Sequence, residues 1–309
     1  MSAMETSSSL QPTRPQASDD GGLRDETSTG GALPNLLVIG AQKAGTTSLH
    51  RYLDLHPEIS MSRPKELSFF MLHPEPSDED LEWYKQHFPA NVRVRGEASP
   101  NYTCYPQVSG IPARVHRLIP DARLIYMVRD PTERAVSSYL HSCAMGDEAR
   151  PIADALDDPS TWYVSRSLYY AQLEKYLPYF RREQLLVVAQ ESLLGSRAET
   201  MRRIFRFLGV DDSFWSPGFE QMWEVSSGKG RKYRLAYRAS RRIAGPEFWG
   251  RLPTRVRWLG ERLVYRPQDG APSRPDLDEA LRERLAERFR EDVQKLRELT
   301  GQDFAHWSI

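Results

Sequence analysis

Hydrophobic and polar positions along this chain follow two periods that take turns. Short apolar runs without alternation stand at Leu36–Ile39, within Arg123–Val128 and within Gln184–Ala189. Such runs predict strands covered on both faces, because a half-exposed strand would alternate apolar and polar residues. Between them the spacing changes to three and four. Thr46–Leu55 reads as a helix, and so do Pro112–Leu118, Thr132–Ala144, Ser167–Leu177 and Arg197–Leu208. Pro131 after Asp130 is a helix-start signal, and Gly209 closes the last of these helices. From Asp276 onward, Leu277, Leu281, Leu285, Phe289, Val293 and Leu296 form one stripe of a long helix that Gly301 ends. Shorter strands are expected at Ile59–Met61 and Val92–Gly96. A surface helix is expected within residues 75–90, where Trp83, Tyr84 and Phe88 fall at helical spacing.

Strands alternating with helical patterns predict an α/β fold: one domain with a central, mostly parallel sheet flanked by helices. Residues 1–33 are rich in Ser, Thr, Gly and Asp and lack an apolar core, so they read as a disordered leader rather than a signal peptide or anchor. Residues 34–309 form the domain. Forty-two basic residues balance forty-two acidic ones, so no global field points to nucleic acid. Two cysteines, Cys104 and Cys143, are too few for a disulfide framework or a Cys-rich zinc site, and they suit a reducing cytosol. No run approaches the ~20 apolar residues of a membrane span.

Chemistry concentrates first at Leu36–Leu49, L-L-V-I-G-A-Q-K-A-G-T-T-S-L. A buried strand, a loop bracketed by Gly40 and Gly45, and a helix start make an anion cradle of backbone N–H groups at the positive end of a helix dipole. Lys43 adds a full charge, and Thr46, Thr47 and Ser48 add hydroxyls. The loop is thus P-loop-like, with one departure. A Walker loop places Lys directly after the second Gly and then a hydroxyl for Mg²⁺. Here Thr46 holds that place and the lysine stands at 43. A metal-dependent NTPase is disfavoured.

Arg129 follows the strand Arg123–Val128, where open α/β sheets bind ligands, and Ser137 lies about two turns into the next helix. A guanidinium and a hydroxyl can clamp a phosphate, and the alternative is a surface Arg129 paired with Glu133. Lys229-Gly230-Arg231 belongs to a flexible cationic loop that can fold over a polyanion or remain a solvated turn. In Pro64-Lys65-Glu66-Leu67-Ser68-Phe69-Phe70, a Lys-Glu pair directly precedes an aromatic run.

These motifs, in this order, resemble those of the sulfotransferases that use 3′-phosphoadenosine-5′-phosphosulfate (PAPS). Gly40–Leu49 resembles their 5′-phosphosulfate loop, with Lys43, Ala44, Gly45, Thr46, Thr47 and Ser48 on the donor. Arg129-Asp130-Pro131 through Ser137 resembles their 3′-phosphate motif, spaced as in the heparan-sulfate-type enzymes and their bacterial relatives. Lys229-Gly230-Arg231 resembles the loop that closes over the nucleotide, and Ser167-Leu168-Tyr169 the Tyr-bearing helix. The resemblance covers about Leu36 to Trp307. It also suggests the base: aryl and steroid enzymes use a His, whereas the heparan-sulfate type uses a Glu in a Lys-Glu-x-x-Phe-Phe context, which Glu66 matches. A carboxylate desolvated beside Phe69 and Phe70 would have a pKa raised toward the range useful for deprotonating an alcohol. No metal is implied. One departure is Ala98, where the heparan-sulfate type commonly carries a lysine in a Lys-[Ser/Thr]-x-x-Tyr context.

The expectation is a PAPS-dependent sulfotransferase, bacterial in type and cytoplasmic, with a hydroxyl of a carbohydrate, lipid or secondary metabolite as acceptor. Residues 229–257 hold ten Lys or Arg against Glu247 alone, interleaved with aromatics, a patch suited to an acidic glycan, a lipid headgroup or a membrane surface, or to plain solvation. Two rivals share the cradle. A P-loop kinase would need Mg²⁺ and ATP, and a non-catalytic nucleotide or nucleic-acid binder would leave Glu66 unconstrained.

Overall fold

The computed structural model describes residues 31–221 and 277–309. Five strands form one parallel sheet: β1 (Leu36–Gly40), β2 (Ile59–Met61), β3 (Val94–Ala98), β4 (Arg123–Val128) and β5 (Leu185–Ala189), in the order β2-β3-β1-β4-β5. All five residues of β1 are buried, as a strand covered by helices on both faces requires. The third strand starts two residues later than the apolar pattern placed it. Val94 pairs with Ile59 and Glu97 with Leu37, so an acidic residue and Ala98 enter the sheet interior. Val92 stays outside because its carbonyl accepts from Arg95 Nη1 at 2.7 Å.

The helices that carry the site follow the strands. Helix α1 (Thr46–Asp54) follows β1. The Phe69–Leu72 turn, α2, and α3 (Asp78–Lys85) lie between β2 and β3. Helix α3 is shorter than residues 75–90 because Ser77 starts it with a capping box to Asp80. Tyr84 and Phe88 go into the core while Trp83 remains exposed. Helix α4 (Ile111–Leu118) precedes β4, and α5 (Pro131–Met145) follows it, with Asp130 accepting from the Glu133 N–H as the cap.

Three short helices, α6 (Ile152–Asp157), α7 (Trp162–Ser165) and α8 (Tyr169–Leu173), lead to β5. The helical pattern over Ser167–Leu177 therefore becomes one short helix and a run of turns. α9 (Gln190–Gly195) and α10 (Arg197–Leu208) follow β5, and Gly209 ends α10 in the left-handed region.

Helix α11 (Glu279–Thr300) buries the stripe Leu281, Leu285, Phe289, Val293 and Leu296. Asp292, on the same buried face, accepts from the Tyr170 and Ala171 N–H groups at 2.9 and 2.8 Å and so caps α8. The composition boundary at residue 33 falls inside described chain, since the Ala32 N–H donates to the Phe88 carbonyl at 3.0 Å. Cys104 is buried and Cys143 half-buried.

Candidate active site

A cleft of about 1320 Å³ opens at the carboxyl ends of β1, β3, β4 and β5, where an open α/β sheet leaves its binding crevice. Lys43, Gly45, Thr46, Thr47 and Ser48 line it from one side, Arg129, Glu133 and Ser137 from another, and Lys65 and Glu66 from a third.

The loop between β1 and α1 is shaped by contacts that exclude larger residues. A Cβ on Gly40 would stand 2.0 Å from Thr103 Oγ1, so only glycine lets the chain turn under that loop. The Ala41 N–H then donates to the Met127 carbonyl at 2.6 Å, pinning the loop to β4. Lys43 itself takes a left-handed backbone at φ 73°, uncommon for a side-chain-bearing residue. Gly45, at φ 87°, begins α1, and no side chain caps that helix end. A backbone dipole thus faces the cleft, with the Lys43 charge beside it. Ala44 differs from the expectation. It is wholly buried, and its N–H donates to the Ala41 carbonyl at 3.1 Å, so it shapes the loop from beneath the cleft surface.

Arg129 leaves the end of β4 with its guanidinium 3.0 Å from Glu133, one turn into α5. Ser137 lies a further turn on along the same helix face. The expected donor contact at Tyr169 takes another form. This side chain is wholly buried and does not line the cleft. Its hydroxyl donates to the Arg129 carbonyl at 2.8 Å and accepts from the Arg129 N–H at 3.3 Å. Tyr169 therefore fixes the backbone that presents the guanidinium. The next residue, Asp130, is held from two further directions. Its N–H donates to Glu191 at 3.0 Å, and its carboxylate accepts from the Ser308 N–H and Oγ at 2.6 and 2.8 Å. Arg134, fully buried in α5, donates to Ser167 Oγ at 2.7 Å and to the Tyr163 carbonyl, tying α5 to the turn before α8. Burial brings its guanidinium pKa down to about 10.

Glu66 reaches the cleft, but its surroundings differ from the expected apolar pocket. Phe69 and Phe70 turn away into the core, where Phe69 stacks on Tyr84 at 3.9 Å between centroids. The Glu66 side chain is 46% exposed and lies 2.7 Å from Lys65 Nζ. Its neighbour in the site is an ammonium, not an aromatic wall.

The carboxylate the sequence pattern did not single out is Glu97. It is completely buried in β3 and accepts from Tyr84 at 2.5 Å, Tyr102 at 2.7 Å, Ser99 at 2.5 Å and the Ser68 N–H at 3.0 Å. Burial pushes its pKa up, and these four donors oppose the shift. Its signal in the sequence is slight: an acidic residue just past the expected strand Val92–Gly96, followed by Ser99 and Tyr102. Ala98 beside it is also fully buried and brings no charge to the cleft.

His50, His141 and His306 line the cleft as well, without any motif to announce them. Burial lowers the His50 pKa, and its Nε2 lies 3.1 Å from the Ser62 carbonyl. Lys229, Gly230, Arg231 and the basic 229–257 stretch lie outside the described residues.

Comparison with known proteins bears on this geometry. The sulfotransferase domain family model matches residues 33–227. The chain is 30% identical over 243 residues to the human bifunctional heparan sulfate N-deacetylase/N-sulfotransferase 2, an alignment covering 65% of this chain and 26% of that protein. It therefore spans about a quarter of that relative's length. It is 28% identical over 288 residues to human heparan sulfate glucosamine 3-O-sulfotransferase 6, covering 88% of this chain and 73% of that one. A sulfotransferase crystal structure from Alicyclobacillus acidocaldarius shares the fold, with a TM-score of 0.63 at 24% identity over 90% of this chain and 100% of that chain. With the family model matched over residues 33–227, more than half of its length, this chain belongs to the sulfotransferase domain family.

Proposed function

We propose that the chain transfers a sulfuryl group from PAPS to a hydroxyl of a carbohydrate, lipid or secondary metabolite, in the cytoplasm and without a metal. One observation carries the reading: the 43–48 loop, the Arg129–Ser137 face and Glu66 all line a single cleft of about 1320 Å³ at the strand ends. A nucleotide carrying two phosphate groups fits such a site, with cations and backbone N–H groups at two separate places along it. The relatives named for heparan sulfate favour a carbohydrate among the acceptors.

Each residue then has a task. Lys43 and the N–H groups at the start of α1 hold the 5′-phosphate and stabilise the charge left on its oxygen. Arg129 and Ser137 hold the 3′-phosphate, and Lys229, Gly230 and Arg231 cover the nucleotide. Glu66 takes the proton of the acceptor hydroxyl as the sulfur–oxygen bond to the phosphate breaks and the bond to the acceptor oxygen forms. The transition state of such a transfer is loose and in line, by analogy with phosphoryl transfer, so placement and electrostatics supply most of the catalysis.

Calorimetric titration with 3′,5′-adenosine bisphosphate, the product nucleotide, tests the donor. Tight binding without metal, weakened by Arg129→Ala, is expected. Preference for ATP with Mg²⁺ would return the kinase reading.

A further inference from the structure

We propose that Lys65 is a second cationic contact for the transferring sulfuryl group, standing between the base and the phosphate loop. The proposal rests on the donor assignment above. Lys65 Nζ lies 2.7 Å from Glu66 Oε1 and 3.4 Å from Thr46 Oγ1. It thus joins the carboxylate proposed to take the acceptor proton to the first hydroxyl of the anion cradle. Its side chain is 17% exposed and that of Glu66 46%, so Lys65 is the more buried member of the pair.

The position of that ammonium is built by the fold. The segment between β2 and α2 is anchored at both ends. At one end, Ser62 is completely buried, its Oγ donates to the Lys65 carbonyl at 3.3 Å, and its own carbonyl lies 3.1 Å from His50 Nε2 on α1. At the other, the Ser68 N–H donates to Glu97 Oε1 and Ser99 Oγ, at 3.0 and 2.9 Å. Ser68 holds a left-handed backbone, φ 54°, to make that turn. A buried carboxylate with four donors is a rigid anchor, because moving any partner leaves a buried polar group unpaired. Lys65 is therefore held against the loop from α1 on one side and β3 on the other.

The chemistry follows from that placement. The sulfuryl group passes from a phosphate oxygen in the cradle to an acceptor oxygen beside Glu66, and Lys65 contacts both ends of this path. With donor bound, Lys65 moves its hydrogen bonds from Glu66 to the sulfuryl oxygens and leaves the carboxylate free to accept the acceptor proton. Lys65 keeps its own three protons throughout. The sulfur–oxygen bond to the phosphate breaks, the bond to the acceptor forms, and the released proton resides on Glu66.

This role is visible in binding alone. The full-length protein is titrated calorimetrically with PAPS and with 3′,5′-adenosine bisphosphate, which lacks the sulfuryl group. Lys65→Met is expected to lose about tenfold or more in affinity for PAPS, as removal of a charge-assisted contact does, with bisphosphate affinity within about twofold of wild type. Lys65→Arg keeps a cation and retains the preference. Should Lys65→Met lose its cooperative melt, the same ratio is read in Lys65→Gln. An equal loss for both nucleotides, no loss for either, or a loss in Lys65→Arg as large as in Lys65→Met overturns the proposal. A wild-type protein that binds neither nucleotide overturns the donor assignment itself, which separates the two failures.

Discussion

The Arg129 guanidinium and the Glu133 carboxylate, one helical turn apart, form an ion pair at 3.0 Å on the cleft wall, with side chains 24% and 29% exposed. A phosphate bound at Arg129, as proposed above, would have to compete with Glu133 for the guanidinium. Glu133→Gln removes the competing charge and keeps the backbone N–H that Asp130 caps. Its affinity for 3′,5′-adenosine bisphosphate should rise about two- to fivefold, the size of a partly screened ion pair. Unchanged or weaker binding would show that Glu133 orients Arg129 instead of opposing the ligand.

Lys43 and Glu66 should separate binding from chemistry. Lys43→Ala is expected to weaken the bisphosphate about tenfold or more and to lower turnover with it. Glu66→Gln should leave binding within about twofold and remove about a hundredfold or more of turnover, the usual share of a general base. Full activity of Glu66→Gln on a good acceptor would show that another group takes the proton.

Tyr169 distinguishes support from contact. Tyr169→Phe removes both bonds to the Arg129 backbone. Leaving those groups unpaired costs about 1–3 kcal/mol of stability. Thermal melts should shift down and bisphosphate affinity should fall together. Loss of affinity with an unchanged melt would place the Tyr169 hydroxyl on the nucleotide itself.

Asp292 gives a pH signature. Burial pushes its carboxyl pKa from 3.8 up to about 6, against the pull of the α8 N–H groups it caps. The folded protein thus binds more protons than the unfolded chain between those values. Its contribution to stability is complete below the lower one and is lost as pH rises through the upper, by roughly 3 kcal/mol. Denaturant unfolding from pH 4 to 7 should show this falling slope in wild type and a flatter one in Asp292→Asn. Equal slopes would mean that Asp292 titrates normally.

Much of the architecture was legible because its signals are local. Leu36–Gly45 and Asp130–Pro131 each carry strand, turn and cap information within a few residues. The register of β3 was not, since the Arg95 side chain and the pairing of Glu97 with Leu37 decide it from outside the local pattern. Within the site, Lys43, Thr46–Ser48, Arg129, Ser137 and Glu66 line one cleft. What motifs hide is the role of a residue turned inward. Tyr169 works 40 residues away on Arg129, and Glu97 holds Ser68 across 29 residues. The apolar character of Phe69–Phe70 suggested a dry pocket for Glu66, but side chains of a one-turn helix face the core and leave the preceding carboxylate to Lys65.

Ser308 meets Asp130 across 178 residues of chain, and Trp307 Nε1 reaches Glu191 at 3.3 Å across 116. During synthesis, every strand of the sheet emerges well before these partners exist. A nascent chain can thus assemble β1 to β5 while the corner behind Arg129 still lacks its last hydrogen bonds. The backbone around Arg129 is therefore completed by residues far from it in sequence, after the sheet itself can form.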